Sequence, residues 1–108
     1  MTEGDAESAF ATGYASYAKM EYQKSISDYS NAIRLDPKYT LAYINRGVSY
    51  FHTAEYDKAI ADYTAAIRLN PRDADAYYNR GLSYKSKGKL RKAKADFAKA
   101  NQLNKPGQ

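Results

Sequence analysis

Residues 32–37 read Ala-Ile-Arg-Leu-Asp-Pro, and residues 66–71 read Ala-Ile-Arg-Leu-Asn-Pro. Residues 45–50 read Asn-Arg-Gly-Val-Ser-Tyr and return at residues 79–84 as Asn-Arg-Gly-Leu-Ser-Tyr. Both pairs are offset by 34 positions, and the same offset links three dipeptides, Asp28-Tyr29, Asp62-Tyr63 and Asp96-Phe97. A fixed offset of this size indicates tandem structural units that stack on one another.

Helical spacing marks two segments in each unit. In the second unit Tyr56, Ala59, Tyr63 and Ala66 recur at intervals of three and four residues, which predicts one apolar stripe along a helix. The prolines at 37 and 71 separate the units, because proline cannot continue a helix but is tolerated in its first turn. The pattern predicts six helices, at residues 6–18, 22–35, 39–53, 56–69, 73–87 and 90–103.

Glycine and aromatic residues alternate in a way that predicts close helix packing. A glycine such as Gly47 or Gly81, placed where two helices cross, lets the backbones approach closely. A tyrosine or phenylalanine one or two turns away fills the adjoining space. We therefore expect most of the twelve tyrosines to lie in the core, with each hydroxyl reaching a hydrogen-bond partner or solvent.

This pattern resembles the tetratricopeptide repeat (TPR) family, whose unit is two antiparallel helices in 34 residues. The matching positions in the second unit are Tyr43, Gly47, Tyr50, Ala59, Tyr63, Ala66 and Pro71. Those in the third unit are Tyr77, Gly81, Tyr84, Ala93, Phe97 and Ala100, with the proline displaced to Pro106. The first unit departs more, with Ser25 in place of alanine and Tyr17 shifted by one residue. The resemblance implies an all-α fold, a right-handed superhelical stack of three antiparallel helix-turn-helix repeats.

We expect one domain at residues 6–105, with repeats at about 6–39, 40–73 and 74–105, a disordered N-terminus at 1–5 and a tail at 106–108. Lys94 and Asn101 stand in the third unit where the first two units have isoleucines that should meet the following unit. Polar residues at these positions predict a cap that ends the array at three units. Residual apolar area leaves self-assembly into a homo-oligomer as one alternative.

Composition narrows the function classes. There is no cysteine, so no disulfide or thiolate site is expected, and no stretch of about 18 apolar residues predicts a membrane span. The acidic first ten residues do not resemble a secretory signal, and a cytoplasmic location is expected. His52 is the only histidine and no glycine-rich phosphate loop occurs, so we expect no catalytic residue, cofactor or metal, and a protein that is not an enzyme.

The resemblance implies a concave groove, lined by the first helices of successive units, that receives a peptide or helix of a partner protein. The groove candidates are Phe10, Tyr14, Leu41, Ile44, Asn45, Val48, His52, Tyr78, Asn79, Leu82 and Lys85. Asn45 and Asn79 can both donate to and accept from a peptide backbone, and the apolar floor is expected from Leu41, Ile44, Val48 and Tyr78. One subclass of the family holds a terminal carboxylate through basic and amide side chains. Asn45 matches that clamp, whereas Phe10, Tyr14, Asp75 and Asn79 do not.

A second hypothesis follows from the charge distribution. The net charge is +5, and from Arg80 onward there are nine basic side chains against one acid. The basic patch comprises Lys85, Lys87, Lys89, Arg91, Lys92, Lys94 and Lys99. It could meet nucleic acid or an acidic surface, or serve as a solvated capping face. No aromatic side chain is interleaved with it, which argues against stacking on single-stranded nucleic acid.

Overall fold

The structure, a computed structural model, describes residues 5–106. Within that range the chain forms six helices, and they are α1 (Ala6–Ala18), α2 (Tyr22–Leu35), α3 (Thr40–His52), α4 (Tyr56–Leu69), α5 (Ala74–Ser86) and α6 (Leu90–Leu103). The predicted all-α repeat stack is confirmed. The predicted bounds of α1, α2, α4 and α6 agree with the structure, while α3 and α5 are one residue shorter at each end.

The turns between repeats follow from proline. Asp36 and Asn70 end α2 and α4 in an extended conformation, because the residue before a proline is excluded from the helical region. Each side chain then accepts a hydrogen bond from the backbone N–H two residues later, on Lys38 and Arg72. The chain therefore reverses at the same two places that the sequence repeat predicts.

The six helices form three hairpins that stack in chain order. Each helix packs against the next one along the chain, and the leading helices α1, α3 and α5 also contact their leading neighbours. Within residues 5–106 the trailing helices α2, α4 and α6 make no such contacts with one another. The leading helices therefore lie closer together and form the inner side of the stack. The right-handed superhelical twist stays a prediction.

A glycine of each leading helix lies against an aromatic ring of the trailing helix. A Cβ atom built on Gly47 would lie 2.6 Å from Cε1 of Tyr63, and one built on Gly81 would lie 2.6 Å from Cε1 of Phe97. Gly13 has the same relation to the ring of Tyr29. The predicted packing of glycine against aromatic residues is confirmed in all three repeats.

Two arginines link neighbouring repeats. Arg46 donates from Nε and Nη2 to the carboxylate of Asp62 in its own repeat, and from Nη1 to Ser30 Oγ of the first repeat. Arg80 repeats this arrangement with Asp96 and Thr64. Each guanidinium also packs on two tyrosine rings, and its carbon lies 5.7 to 5.9 Å from their centroids. The third repeat is thus joined to the second as the second is joined to the first.

One buried hydroxyl has no hydrogen-bond partner within the described residues, and it is Ser83 Oγ. The equivalent Ser49 shares a 2.8 Å hydrogen bond with Ser25 of the preceding repeat. The second repeat has Ala59 at the position of Ser25, so the corresponding acceptor is missing.

We expect Ser83→Ala to raise the free energy of unfolding by about 1 kcal/mol, because it removes a buried polar group that gains nothing from the fold. Ser49→Ala is the matched control and should lower it by about 1 kcal/mol. Urea denaturation followed by circular dichroism measures both. A loss of stability in Ser83→Ala would show that this hydroxyl is satisfied in solution.

The predicted domain bounds stay a prediction. Asp5, the last residue of the segment predicted to be disordered, accepts a hydrogen bond from Ser8 N–H on its side chain and caps α1. The remaining N-terminal positions, 1–4, and positions 107–108 of the predicted tail lie outside the described residues. Lys94 and Asn101 are exposed on α6, as a polar outer face requires.

Candidate functional site: the groove of the leading helices

The groove is the face formed side by side by α1, α3 and α5, and the structure places the predicted residues on it unequally. Tyr14, Leu41 and Tyr78 are all more than half exposed. Asn45, Val48, Asn79 and Leu82 are half-buried, and His52 and Lys85 are exposed near the C-terminal ends of α3 and α5. The structure therefore leaves apolar or aromatic side chains accessible on all three helices, and amide side chains accessible on α3 and α5.

Ile44 does not contribute an open surface. Its exposed fraction is 5%, and it belongs to the core cluster with Ala59 and Tyr63. The equivalent position in the third repeat is Tyr78, which is 51% exposed. Ile44 lies on α3, the middle leading helix, which neighbouring helices cover on both sides. It is therefore buried and does not form part of the open groove floor, contrary to the prediction from the sequence.

A cleft of about 210 Å³ opens between α1 and α3. Its lining residues are Tyr14, Tyr17, Tyr29, Asn45 and Val48, and we call it the tyrosine cleft. Asn45 Nδ2 donates to the hydroxyl of Tyr29 over a long distance of 3.4 Å. Burial raises the pKa of Tyr29, and this hydrogen bond opposes the rise.

Sequence reasoning missed two members of the cleft. Tyr29 is a core residue, yet its hydroxyl reaches the cleft floor beside Asn45. Tyr17 is displaced by one residue from the repeat pattern, so its side chain leaves the position that Tyr50 and Tyr84 occupy. That displacement is the signal in the sequence that could have found Tyr17.

His52 contacts Tyr17, one of the residues that line the cleft. Its ring stacks on Tyr22 with centroids 4.6 Å apart and planes within 3° of parallel. Its Nε2 shares a 3.1 Å hydrogen bond with the hydroxyl of Tyr17. His52 therefore helps to position Tyr17 in the wall of the tyrosine cleft. Within residues 5–106 no three His, Cys, Asp or Glu side chains lie close enough together to hold a metal ion.

Phe10 packs against Tyr29, a residue that lines the cleft, on the N-terminal side of Tyr14 in α1. Its ring stacks on Tyr39 at 5.1 Å between centroids and packs against Tyr29 at 5.5 Å. Burial raises the pKa of Tyr39, and the nearby acids Glu7, Asp36 and Asp5 raise it further. The N-terminal end of the groove in the first repeat is consequently an aromatic surface in an acidic environment.

Comparison with known proteins decides the family. Residues 13–53 and 55–88 match the family model described as TPR repeat, and residues 74–106 match the model described as Tetratricopeptide repeat. The chain belongs to the tetratricopeptide repeat family. The leading helices that form the groove are thus the first helices of three TPR units.

Similar solved structures and relatives support this assignment. The second TPR domain of Spaghetti (RPAP3), bound to HSP90 peptide SRMEEVD, is 30% identical, with a TM-score of 0.90 and 93% of each chain covered. MamA is 34% identical, with a TM-score of 0.89, and the alignment covers 92% of this chain and 58% of that chain. Tetratricopeptide repeat protein 6 of Homo sapiens is 57% identical over 30 residues, which are 28% of this chain and 6% of the relative. The match thus spans a small fraction of that protein's length.

The TPR groove of this chain differs in charge from the clamp subclass described above. Phe10 and Tyr14 present aromatic rings at two clamp positions, and Asp75 presents an exposed acid at a third. No lysine or arginine belongs to α1, whose only charged residue is Glu7. A terminal carboxylate would therefore meet aromatic rings and acids where the subclass supplies cations.

The basic patch lies away from the tyrosine cleft, at the end of α5, the following turn and the start and outer face of α6. All seven residues of the patch are exposed. Two of them have partners within the protein: Lys87 pairs with Asp57, and Lys92 lies 5.5 Å from the ring centroid of Tyr84. The others extend from a capping face, and a role in binding nucleic acid stays a prediction.

None of the helices within residues 5–106 is both long enough and apolar enough to span a bilayer.

Proposed function

We propose that this TPR domain is a non-enzymatic scaffold that binds an extended peptide segment of a partner protein in the groove of α1, α3 and α5. The observation that carries the proposal is the tyrosine cleft, which is open, apolar on its walls and floored by an amide. Clefts of this kind take a side chain while a few polar groups orient the ligand. The peptide bound to the second TPR domain of Spaghetti supports the same class of function. The cytoplasmic location stays a prediction.

Asn45 and Asn79 are proposed as the backbone anchors. They occupy equivalent positions on α3 and α5, and both are half-buried beside exposed apolar neighbours. An amide side chain can donate to one peptide group and accept from another. The spacing of the two leading helices would then set the register of a bound extended segment.

Replacing both asparagines by alanine tests this site. We select binders from a library of random peptides and measure the strongest by isothermal titration calorimetry. Each asparagine side chain should contribute about 1 kcal/mol, so the double variant should bind about 30-fold more weakly. Its free energy of unfolding should change little, because the bond from Asn45 to Tyr29 is long.

The matched control is Asn101→Ala, an exposed asparagine on the outer face of α6, which should leave affinity unchanged. An affinity that stays the same in the Asn45→Ala, Asn79→Ala variant would exclude these two residues as anchors. Peptides that bind with a steep dependence on salt and lose affinity when Lys94 and Lys99 are replaced would instead favour the basic patch.

A further inference from the structure

The charge of the groove is opposite to the charge of the whole chain. The net charge is +5, yet apart from Lys85 at the C-terminal end of α5 the groove positions of the three leading helices carry no lysine or arginine. The twelve equivalent positions are Glu7, Phe10, Ala11, Tyr14, Leu41, Ile44, Asn45, Val48, Asp75, Tyr78, Asn79 and Leu82. Glu7 and Asp75 are the charged members, and both are exposed. A basic segment would therefore meet complementary charge along this face.

The walls of the tyrosine cleft also favour a cation. Tyr14, Tyr17 and Tyr29 line a cleft of about 210 Å³. Tyr29 is 1% exposed and reaches the cleft through its hydroxyl, so the rings that can attract positive charge through their quadrupole are those of Tyr14 and Tyr17. Asn45 uses its Nδ2 toward Tyr29, which leaves the amide oxygen as an acceptor for an incoming donor.

The protein already pairs cations with tyrosine rings at other places. Arg46 lies 5.9 Å from the ring centroid of Tyr43 and 5.8 Å from that of Tyr50. Arg80 has the same relation to two tyrosines of the third repeat. In the first repeat the position of these arginines is held by Thr12. The positions of Tyr43 and Tyr50 are held there by Ala9 and Ser16, so this arrangement does not recur in the first repeat. It shows that a guanidinium packs on tyrosine rings elsewhere in this protein.

We propose that the tyrosine cleft binds an arginine side chain of a basic partner segment. The inference rests on the proposed function, because the segment must lie in the groove for its arginine to enter the cleft. The guanidinium packs on the rings of Tyr14 and Tyr17 and donates to the Tyr29 hydroxyl and to the Asn45 oxygen, while Glu7 attracts a neighbouring basic residue. Arginine suits this site because it is planar, keeps its charge and is weakly hydrated.

The test uses N-acetyl-arginine amide as the probe and N-acetyl-citrulline amide as its neutral analogue of nearly the same shape. Binding is followed by nuclear magnetic resonance through the side-chain amide signal of Asn45. We expect the arginine derivative to bind at least about fivefold more tightly than the citrulline derivative.

The Tyr14→Leu variant should abolish that preference, because leucine keeps the apolar area and removes a ring face. Tyr78→Leu is the matched control, an exposed groove tyrosine outside the cleft, and should preserve the preference.

Equal binding of the two derivatives, or no binding of either, would overturn the arginine site. The proposed function is tested separately. The selected peptides could lose affinity for the Asn45→Ala, Asn79→Ala variant and yet show no enrichment in arginine and no response to Tyr14→Leu. That result would support the groove and contradict only the arginine site. If peptide affinity is unchanged in both sets of variants, the groove is not the binding site.

Discussion

Gly47→Ala should lower the free energy of unfolding by about 3 kcal/mol or more. The added methyl carbon would lie 2.6 Å from Cε1, 2.9 Å from Cζ and 3.0 Å from Cδ1 of Tyr63. Tyr63 is 1% exposed, and its ring is enclosed by the second hairpin and its neighbours, so it cannot swing aside. The two helices would have to separate at their crossing. Urea denaturation followed by circular dichroism measures the loss.

Gly88→Ala separates this steric effect from the backbone preference of glycine. Gly88 has φ of +78° and no atom within 4 Å of a built Cβ, so its replacement should cost only about 1 kcal/mol for the left-handed conformation. Replacing Tyr63 by leucine in the Gly47→Ala background should recover part of the loss, which a double-mutant cycle detects. If Gly47→Ala costs no more than Gly88→Ala, the close approach of the two helices is not what holds glycine at this position.

The fold could be predicted from the sequence because its determinants are local and repeated. Helix ends follow the 34-residue offset and the two prolines, which act on the backbone of the residues beside them. The two helices that were predicted too long illustrate the remaining error. Tyr39 and Asp73 precede α3 and α5 as cap residues, and apolar periodicity does not distinguish a cap from the first helical residue.

The tyrosine cleft was predictable only in part, because it depends on how neighbouring helices are spaced. Tyr14, Asn45 and Val48 share the groove face by helical periodicity and were found from the sequence. Tyr29 belongs to the core by the same periodicity, and only the direction of its hydroxyl brings it to the cleft. Ile44 was expected in the open floor, but coverage of the middle helix from both sides is a property of the assembled stack.

Arg46→Ala is also expected to lower the free energy of unfolding by about 3 kcal/mol. Its guanidinium makes two hydrogen bonds of 2.7 and 2.8 Å to Asp62, whose side chain is only 7% exposed, and a third of 3.0 Å to Ser30 of the neighbouring repeat. Removing one partner of a buried pair leaves the other charge without compensation. The pair between Lys58 and Glu55 is the matched control, since the Lys58 side chain is 64% exposed and Lys58→Ala should change stability by less than about 1 kcal/mol.

The pH dependence of Arg46→Ala tests whether the unpaired carboxylate of Asp62 causes the loss. Burial raises the pKa of Asp62, and Arg46 opposes that rise, so the variant should hold a carboxyl whose pKa lies further above its value in the unfolded chain. Such a group stabilises the fold at low pH and loses that contribution as pH rises through its raised pKa. The stability deficit of the variant should therefore be smaller at about pH 4.5 than at about pH 8.

Adding Asp62→Leu should recover much of the deficit, because no buried charge then remains. A deficit that is the same at both pH values and persists with Asp62→Leu would mean that Arg46 stabilises the stack mainly through its packing against Tyr43 and Tyr50.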